Sequence, residues 1–573
     1  MYTNTQTSRK PIIFRILSMV FFIIPSFFLN AQTLEWAKTF GSKNSDFGIS
    51  IATDATGNVY TTGSFDEMTD FDPGPETYFV SPNGNNDVFI HKMDARGNFL
   101  WVKTFGGDRA ESGSAISVDK TGNVCVTGYF TGTINFDPPS TTYEFTEVGN
   151  GNIFVLKMDG DGNTLWAKAM GGPNGESGYS ISVDDSGNIY TIGWFAGTVD
   201  FDPGMDTFLL TSKGESDIFV HKMDNNGNFL WAKSFGGADS DYGYSIRIDA
   251  TGNIFTTGNF LETVDFDPGE DVFNVTCTGQ DDSFVQKLDA DGNFLWVSVM
   301  EGSAGVYALS MDVDDFGNVL TAGAFRDTAD FDPGSGVESL VSSGLNDMFI
   351  QKINKEGQFV WAKSLGNTGR DVGVYVYTDA AGNVYTTGGF SETVDFDAGE
   401  AVANLTSTGK SDIFIQKLDP AGNFLWAHSF GGINSEDGYS VTGDENGNIL
   451  ISATFQETAD FTTGTTTTTL TSNGSSDVVV LKLKEITSGM SDGNTGVFLT
   501  AYPNPTFDIL NILFEKPVLY ADLEITDTKG KTIFSKRIEN VSQEQIDLQA
   551  YSGIYFLHVR TKDSRSVIKV VKK

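Results

Sequence analysis

Six acidic residues of this chain recur at one position of a repeating sequence, and their type and spacing could support chemistry. They stand 65 residues or a multiple of 65 apart, with Val306 where the fifth would fall. The six are Asp46, Glu111, Glu176, Asp241, Asp371 and Glu436. Carboxylates gathered at one opening would attract a cation or a basic group, and could serve a hydrolase or a lyase. The alternative is that each acid accepts backbone N–H groups in its own loop.

Two further acidic motifs have the composition of calcium ligands. A D-x-x-G-N turn appears in each repeat, for example from Asp54 to Asn58, and a D-F-D-P-G segment in most, for example from Asp70 to Gly74. A calcium site needs about six to eight oxygens, whereas an aspartate that opens a turn need only bond its own backbone. We therefore favour turns, with calcium as a possible cofactor and no other expected. A recurring lysine, Lys92 in the first repeat, is a candidate ion-pair partner of the D-F-D-P-G acids.

The four histidines give little support for catalysis. His91 and His221 share one repeat position, His428 lies in another strand and His558 lies near the C-terminus. None has the spacing of a metal site or the signature of a catalytic triad. A catalytic centre would be sought first in the fifth repeat, which deviates at Val306.

The repeat itself predicts the fold. Seven tryptophans stand 65 residues apart without insertion or deletion, and two phenylalanine series and a Gly-Asn pair keep the same register. The tryptophans are Trp36, Trp101, Trp166, Trp231, Trp296, Trp361 and Trp426. Each repeat has the pattern of four antiparallel strands joined by turns. Four-stranded units in a closed array predict an all-β fold, a seven-bladed β-propeller.

The two ends of the repeat array complete each other. The segment from Leu34 to Phe40 matches a fourth strand with no first three before it, and the last repeat stops after its third strand, from Val478 to Lys484. Pairing these strands would close the ring and cover both exposed edges.

The recurring aromatic residues are interpreted as a core between neighbouring sheets, because one buried Trp or Phe removes about 150–250 Å² from water. A platform for stacking carbohydrate is the alternative, although such a platform need not recur in every repeat. Trp194 is the tryptophan outside the series.

Two motifs link residues 32 to 486 to a known family. G-N-x-Y-x-T-G-x-F appears from Gly382 to Phe390, and D-x-F-x-x-K from Asp412 to Lys417. The repeat resembles that of secreted bacterial β-propeller proteins of the SBBP type. The resemblance implies a propeller fold and export, but no common ligand.

The ends of the chain predict export. Residues 1–31 join basic residues to an apolar run and have the pattern of a signal peptide, and residues 487–498 are small and polar, as in a linker. Residues 499–573 resemble the type A C-terminal sorting domain of the type IX secretion system. Its motif residues here are Pro503, Asn504, Pro505, Gly530, Gly553, Tyr555, Lys572 and Lys573. The resemblance implies a small β-sandwich bound by the type IX machinery, and a protein secreted or attached to the outer surface of the outer membrane.

Charge narrows the range of partners. The formal net charge of −38 repels nucleic acid and anionic lipid, and no segment after residue 31 is apolar enough to span a membrane. We therefore expect a binding module at the cell surface or outside the cell, with an extracellular protein or a glycan as its partner. The alternatives are a structural adhesin, and a hydrolase or lyase that uses acids at the channel mouth.

Overall fold

The computed structural model describes residues 32–399, 401–463, 467–485, 499–502, 509–527, 531–548, 553–561 and 565–572. Within these ranges the regular structure is β-strand throughout, so the predicted all-β class is confirmed. No helix in the described part of the chain is long and apolar enough to cross a membrane. The predicted signal peptide and linker lie outside the described residues.

Each repeat begins as a hairpin because its sequence supplies alternating strands around a tight turn. In the first repeat, strand Phe47–Thr53 pairs antiparallel with Val59–Phe65. Between them Gly57 has a φ of 80°, a conformation that residues with a side chain rarely adopt. The Asp54 carboxylate accepts a hydrogen bond from the backbone N–H of Asn58 at 3.0 Å. The D-x-x-G-N motif therefore forms a turn, as predicted.

Four long strands come from each repeat. The first strands are Phe47–Thr53, Glu111–Val118, Gly175–Val183, Tyr242–Ile248, Gly305–Val313, Val372–Thr378 and Asp437–Gly443. The second strands are Val59–Phe65, Val124–Phe130, Ile189–Ala196, Ile254–Phe260, Val319–Arg326, Val384–Phe390 and Ile449–Phe455. The third strands are Asp87–Met93, Asn152–Met158, Asp217–Met223, Asp282–Leu288, Asp347–Ile353, Asp412–Leu418 and Asp477–Glu485. The fourth strands are Phe99–Phe105, Thr164–Met170, Phe229–Phe235, Phe294–Gly302, Phe359–Leu365, Phe424–Gly432 and Gln32–Phe40.

A short hairpin lies between the second and third strands of each repeat. The hairpin strands are Thr69–Asp70 with Phe79–Val80, Thr133–Asn135 with Glu144–Thr146, Thr198–Asp200 with Leu209–Thr211, Thr263–Asp265 with Asn274–Thr276, Thr328–Asp330 with Ser339–Val341, Thr393–Asp395 with Asn404–Thr406, and Thr458–Asp460 with Thr469–Thr471. The D-F-D-P-G segment connects the two strands of such a hairpin, and the Asp70 carboxylate accepts the backbone N–H of Tyr78 at 2.8 Å.

Among the described residues the long strands pair in chain order into seven antiparallel sets of four. Two of these sheets continue from the fourth strand, Phe294–Gly302 or Phe424–Gly432, into the short hairpin of the next repeat. We number these sheets 1 to 7 by the order of their first strands. Sheet 7 takes its fourth strand from the other end of the array, because Gln32–Phe40 pairs with Asp477–Glu485. The predicted pairing of these two strands is confirmed.

Contacts between first strands run through all seven sheets and back to the first. Each first strand contacts that of the next sheet, and the first strand of sheet 7 contacts that of sheet 1. A serine hydroxyl accepts a backbone N–H across several of these contacts, as from Val376 to Ser310 and from Ile51 to Ser440, both at 3.4 Å. The second of these bonds joins sheet 7 to sheet 1.

A repeated pair of hydrogen bonds joins the outer strands of one sheet to a turn of the next. In sheet 1, Lys92 Nζ and Trp101 Nε1 both donate to the carbonyl oxygen of Gly160, at 2.7 and 3.3 Å. Between sheets 7 and 1, Lys482 and Trp36 donate in the same way to the equivalent turn carbonyl, at 3.1 and 3.3 Å. The junction that closes the array therefore has the same contacts as an internal one.

The recurring phenylalanines form the core. Phe65 and Phe71 are fully buried, with ring centroids 5.2 Å apart in a T-shaped arrangement. Phe260 and Phe266 repeat this arrangement at the same distance of 5.2 Å. The core interpretation of these series is confirmed.

The C-terminal region folds as one five-stranded sheet. Its longest strand, Ile509–Asp527, pairs with Leu499–Tyr502, Thr532–Asp547 and Gly553–Arg560, and the last of these pairs with Arg565–Lys572. Apolar side chains from both halves of the longest strand belong to one buried cluster. The expected β-sandwich is thus seen as a single sheet whose two ends share a core.

Candidate functional site

All six acids predicted at a channel mouth are buried, with relative exposures of 3% or less. Each accepts a hydrogen bond from the backbone N–H four residues earlier, as Glu176 does from Gly172 at 2.7 Å. The six are Asp46, Glu111, Glu176, Asp241, Asp371 and Glu436. This is the loop-forming alternative, because each carboxylate turns inward to the amides that precede its strand. Cation binding at these acids stays a prediction, and their burial does not favour it.

Burial also changes the acidity of these groups. The pKa rises to about 6 for Asp46, about 7 for Glu111, Asp241 and Glu436, and about 8 for Glu176. The pKa of Asp371 is raised for the same reason. An aspartate on a neighbouring third strand adds a like charge in several cases, as Asp217 does beside Asp241.

Three of the recurring lysines, Lys157, Lys352 and Lys482, form ion pairs with turn acids and not with the D-F-D-P-G acids. Lys352 Nζ lies 3.0 Å from Asp314 Oδ2, in the D-x-x-G-N turn of its own sheet. The suggested pairing with the D-F-D-P-G acids is therefore wrong. The lysine stands opposite the start of the second strand, as Lys92 does opposite Tyr60, whereas the D-F-D-P-G segment follows the end of that strand. Among the described residues, no three His, Cys, Asp or Glu side chains form a group that could hold a metal ion.

The buried histidines belong to the core. Burial lowers the pKa of His91 to about 4 and that of His221 to about 3. The Nε2 atom of His91 lies 2.9 Å from the carbonyl oxygen of Phe71. Both side chains are fully buried, so neither can reach a substrate in solution.

One cavity of about 530 Å³ is lined by the first strands of all seven sheets. Arg247 of sheet 4 and Asp312 of sheet 5 form an ion pair in its wall, with Nε 3.5 Å from Oδ1. The other Asp312 oxygen accepts the backbone N–H and the hydroxyl of Thr378 at 2.7 and 2.8 Å. Burial raises the pKa of Asp312, and Arg247 opposes this. The ion pair and the bonds to Thr378 are not repeated in every sheet, since the position of Arg247 holds serine in sheets 2 and 3.

Four aromatic side chains of sheets 3 and 4, Tyr179, Trp194, Tyr242 and Tyr244, form what we call the aromatic cluster. Tyr179 and Tyr244 line the cavity, and their rings lie 5.6 Å apart at an angle of 18°. The ring of Tyr242 lies 6.2 Å from that of Tyr244 at 9°. Trp194 meets Tyr242 edge-on at 6.0 Å, and its indole N–H donates to the Tyr179 hydroxyl at 3.0 Å. All four side chains are partly exposed, so the cluster offers fixed aromatic surface to a ligand.

The repeats differ at the positions of the aromatic cluster, although they agree in the tryptophan and phenylalanine series. In the other sheets the position of Trp194 holds Ser64, Tyr129, Asn259, Ala324, Gly389 and Thr454. The position of Tyr242 holds Phe47, Ser112, Ser177, Tyr307, Val372 and Asp437. Positions that carry the repeated core contacts keep one residue type, so the varied positions of Trp194 and Tyr242 are not needed for those contacts. Sequence reasoning singled out Trp194 but missed the three tyrosines, which a position-by-position comparison of the repeats would have found.

Three of the eight sorting-motif residues can be placed in the structure. Gly553 begins its strand opposite Lys572, and Tyr555 and Lys572 are buried, with relative exposures of 8% and 7%. Pro503, Asn504, Pro505, Gly530 and Lys573 lie outside the described residues.

Comparison with known proteins bears most directly on the C-terminal region. Residues 500–573 match the family described as Secretion system C-terminal sorting domain. This match supports secretion through the type IX system and interaction with its machinery.

The chain is also similar to two curated proteins from other organisms. The chain is 23% identical over 506 residues to an uncharacterized WD repeat-containing protein, L264, of Acanthamoeba polyphaga mimivirus, an alignment that covers 74% of this chain and 36% of that protein. It is 26% identical over 152 residues to the regulatory protein FlaEY of Caulobacter vibrioides, covering 25% of this chain and 16% of the other. The chain thus spans well under two thirds of the curated relatives it matches. A solved structure of a fungal alcohol oxidase in complex with copper aligns over 95% of this chain and 100% of its own at 12% identity, but its TM-score of 0.37 is too low to support a shared fold.

Proposed function

We propose that this protein is an exported binding module, a seven-bladed β-propeller of the secreted bacterial SBBP type that binds an extracellular partner at its aromatic cluster. The sorting-domain match at residues 500–573 supports export. After export the protein is either released or held on the outer surface of the outer membrane.

Three observations support the propeller. The long strands of the described residues form seven antiparallel sets of four, their first strands contact one another in a closed series, and the same seven first strands line one cavity. Similarity to a WD repeat-containing protein agrees with this architecture, because such repeats form propeller blades.

The aromatic cluster is the observation that carries the binding function. Partly exposed Trp and Tyr side chains are typical of recognition sites because they offer a large contact area at a low cost in conformational entropy. A hydrolase or lyase is not favoured, since the acids that it would use are buried in their own loops.

The proposal is tested with the full-length chain, probed on a glycan array and against a panel of purified extracellular matrix proteins. We expect saturable binding that is weakened about tenfold in Trp194→Ala and in Tyr242→Ser. Both substitutions install residues that sister sheets already have, at Ala324 and Ser112, so the variants should fold. Phe316→Ala is the control, because Phe316 is 70% exposed and lies outside the cluster. No binding, or binding equal in all four proteins, would overturn the proposal.

A further inference from the structure

We infer that the aromatic cluster binds a neutral glycan, with the apolar face of one pyranose ring stacked on Trp194 or Tyr242. This inference rests on the proposed function and specifies its ligand. A pyranose combines a face of C–H groups with a rim of hydroxyl groups. A site for it therefore needs an aromatic face and uncommitted hydrogen-bonding groups beside that face.

The aromatic faces are held in place before any ligand arrives. The hydrogen bond from the Trp194 indole to the Tyr179 hydroxyl, at 3.0 Å, fixes the indole. The near-parallel rings of Tyr179, Tyr244 and Tyr242 support one another. A preorganised site loses little conformational entropy on binding, and the electron-rich face of each ring attracts the C–H groups of a sugar.

Uncommitted polar groups lie beside these rings. Ser177 is the cross-strand neighbour of Trp194, and Asn259 is the cross-strand neighbour of Tyr242. Both side chains are buried, with exposures of 6% and 3%. Within the described part of the chain, Ser177 Oγ and Asn259 Oδ1 have no hydrogen-bond partner. A buried polar group without a partner is costly. These two atoms have almost no surface open to solvent, so a sugar hydroxyl would bond to them only when the neighbouring ring shifts to admit it.

An acidic group completes the rim on the side of sheet 4. The Asp281 carboxylate accepts the hydroxyl of Tyr307 at 2.9 Å and the amide of Asn259 at 3.3 Å. A carboxylate has about four lone-pair sites, so Asp281 can accept further hydroxyl groups. The chemistry beside the rings is thus mainly that of hydrogen-bond acceptors, which suits a ligand with many O–H donors.

Charge selects a neutral sugar over an acidic one. The chain carries a formal net charge of −38, which disfavours uronic acids and sulfated sugars. The cation in the cavity wall, Arg247, is already paired with Asp312. The acceptor-rich rim would also repel a ligand carboxylate.

The inference is tested by titration calorimetry of the full-length chain with cellohexaose, chitohexaose and mannohexaose, and with oligogalacturonate as the acidic counterpart. We expect at least one neutral oligosaccharide to bind. Its affinity should fall about tenfold in Trp194→Ala and in Tyr242→Ser, the order expected for the loss of one stacked ring. Phe316→Ala should bind as the unmodified chain does.

A further variant separates a sugar from an apolar ligand. Asn259→Ala removes Oδ1 and installs the residue of sheet 5, Ala324. Sugar binding should weaken severalfold in this variant, whereas contact with the rings alone would be unaffected. Preferential binding of oligogalacturonate, no binding of any sugar, or sugar binding unchanged in all variants would overturn the inference. If a matrix protein binds through Trp194 and Tyr242 while no sugar does, the inference fails and the proposed function stands.

Discussion

The junctions between sheets and the aromatic cluster use the same repeat in opposite ways. At the junctions, tryptophan and lysine reach a turn carbonyl of the next sheet, as at Gly160 and at the closing junction. At the aromatic cluster, no two sheets carry the same three residues at the positions of Tyr242, Tyr244 and Trp194. The difference teaches that repeated contacts hold the array together, while the residues that break the repeat are not needed for those contacts.

The first prediction tests whether the junction between sheets 7 and 1 contributes as much to stability as a junction between two other sheets. Trp36 and Trp361 each donate their indole N–H to a turn carbonyl at 3.3 Å. Because both make this bond and both pack against a buried cluster, Trp36→Ala and Trp361→Ala should each lower the free energy of unfolding by about 3–5 kcal/mol. Thermal unfolding followed by circular dichroism checks this. Trp194→Ala is the control and should cost less than about 1 kcal/mol. A much smaller loss in Trp36→Ala would show that the ring is open in solution.

The second prediction concerns the buried acids at the start of the first strands. Glu176 has a folded-state pKa of about 8 against an ordinary 4.5, because of burial. The folded state therefore binds its proton more tightly, so the stabilising contribution is full below pH 4.5 and is lost as pH rises through 8. Each pH unit over which one extra proton is bound changes the free energy of unfolding by about 1.4 kcal/mol.

Between about pH 6.5 and 8, the free energy of unfolding of Glu176→Gln should accordingly fall by about 1–2 kcal/mol less than that of the unmodified chain. Urea unfolding at several pH values measures this. Asp185→Asn is the matched control, because the Asp185 side chain is 74% exposed and should leave the profile unchanged. Parallel profiles for the unmodified chain and Glu176→Gln would contradict the high pKa.

The third prediction separates contact from positioning within the aromatic cluster. Tyr179→Phe removes the hydroxyl that accepts the Trp194 indole at 3.0 Å and keeps the ring. Affinity for the glycan should fall severalfold, less than in Trp194→Ala, because the indole loses its orientation but not its face. Calorimetry with the best oligosaccharide measures the difference. A loss as large as that of Trp194→Ala would instead place Tyr179 in direct contact with the sugar.

The fourth prediction concerns calcium and has the smallest expected effect. The Asp54 carboxylate already accepts hydrogen bonds from its own turn, so the D-x-x-G-N motif has little capacity left for a cation. Excess chelator should leave the midpoint of thermal unfolding unchanged, as differential scanning fluorimetry can measure. A fall that added calcium reverses would restore the calcium-loop interpretation and make the repeated turns ligand sites.

The sequence predicted most of the architecture and little of the site. Strict spacing and turn glycines such as Gly57 determine strands and turns locally, so the sheets and the pairing of Gln32–Phe40 could be predicted. The direction of a loop side chain depends on which backbone amides lie near it in the folded protein. The burial of Glu176 could therefore not be predicted from the sequence. The cluster was missed because Tyr179 and Tyr242 belong to different repeats and meet only once the sheets are arranged.

The pairing that completes sheet 7 also sets an order of events during synthesis and export. Among the described strands, Gln32–Phe40 is made first, yet Thr39 bonds to Val478, 439 residues later. Sheets 1 to 6 can each form as their own residues emerge, while this strand waits with an unpaired edge that invites pairing with other chains. The last step in assembling the seven sheets is therefore the meeting of the two ends of the array. A chain interrupted before residue 477 would lack the partner of Gln32–Phe40 and would expose the edge of that strand to other chains.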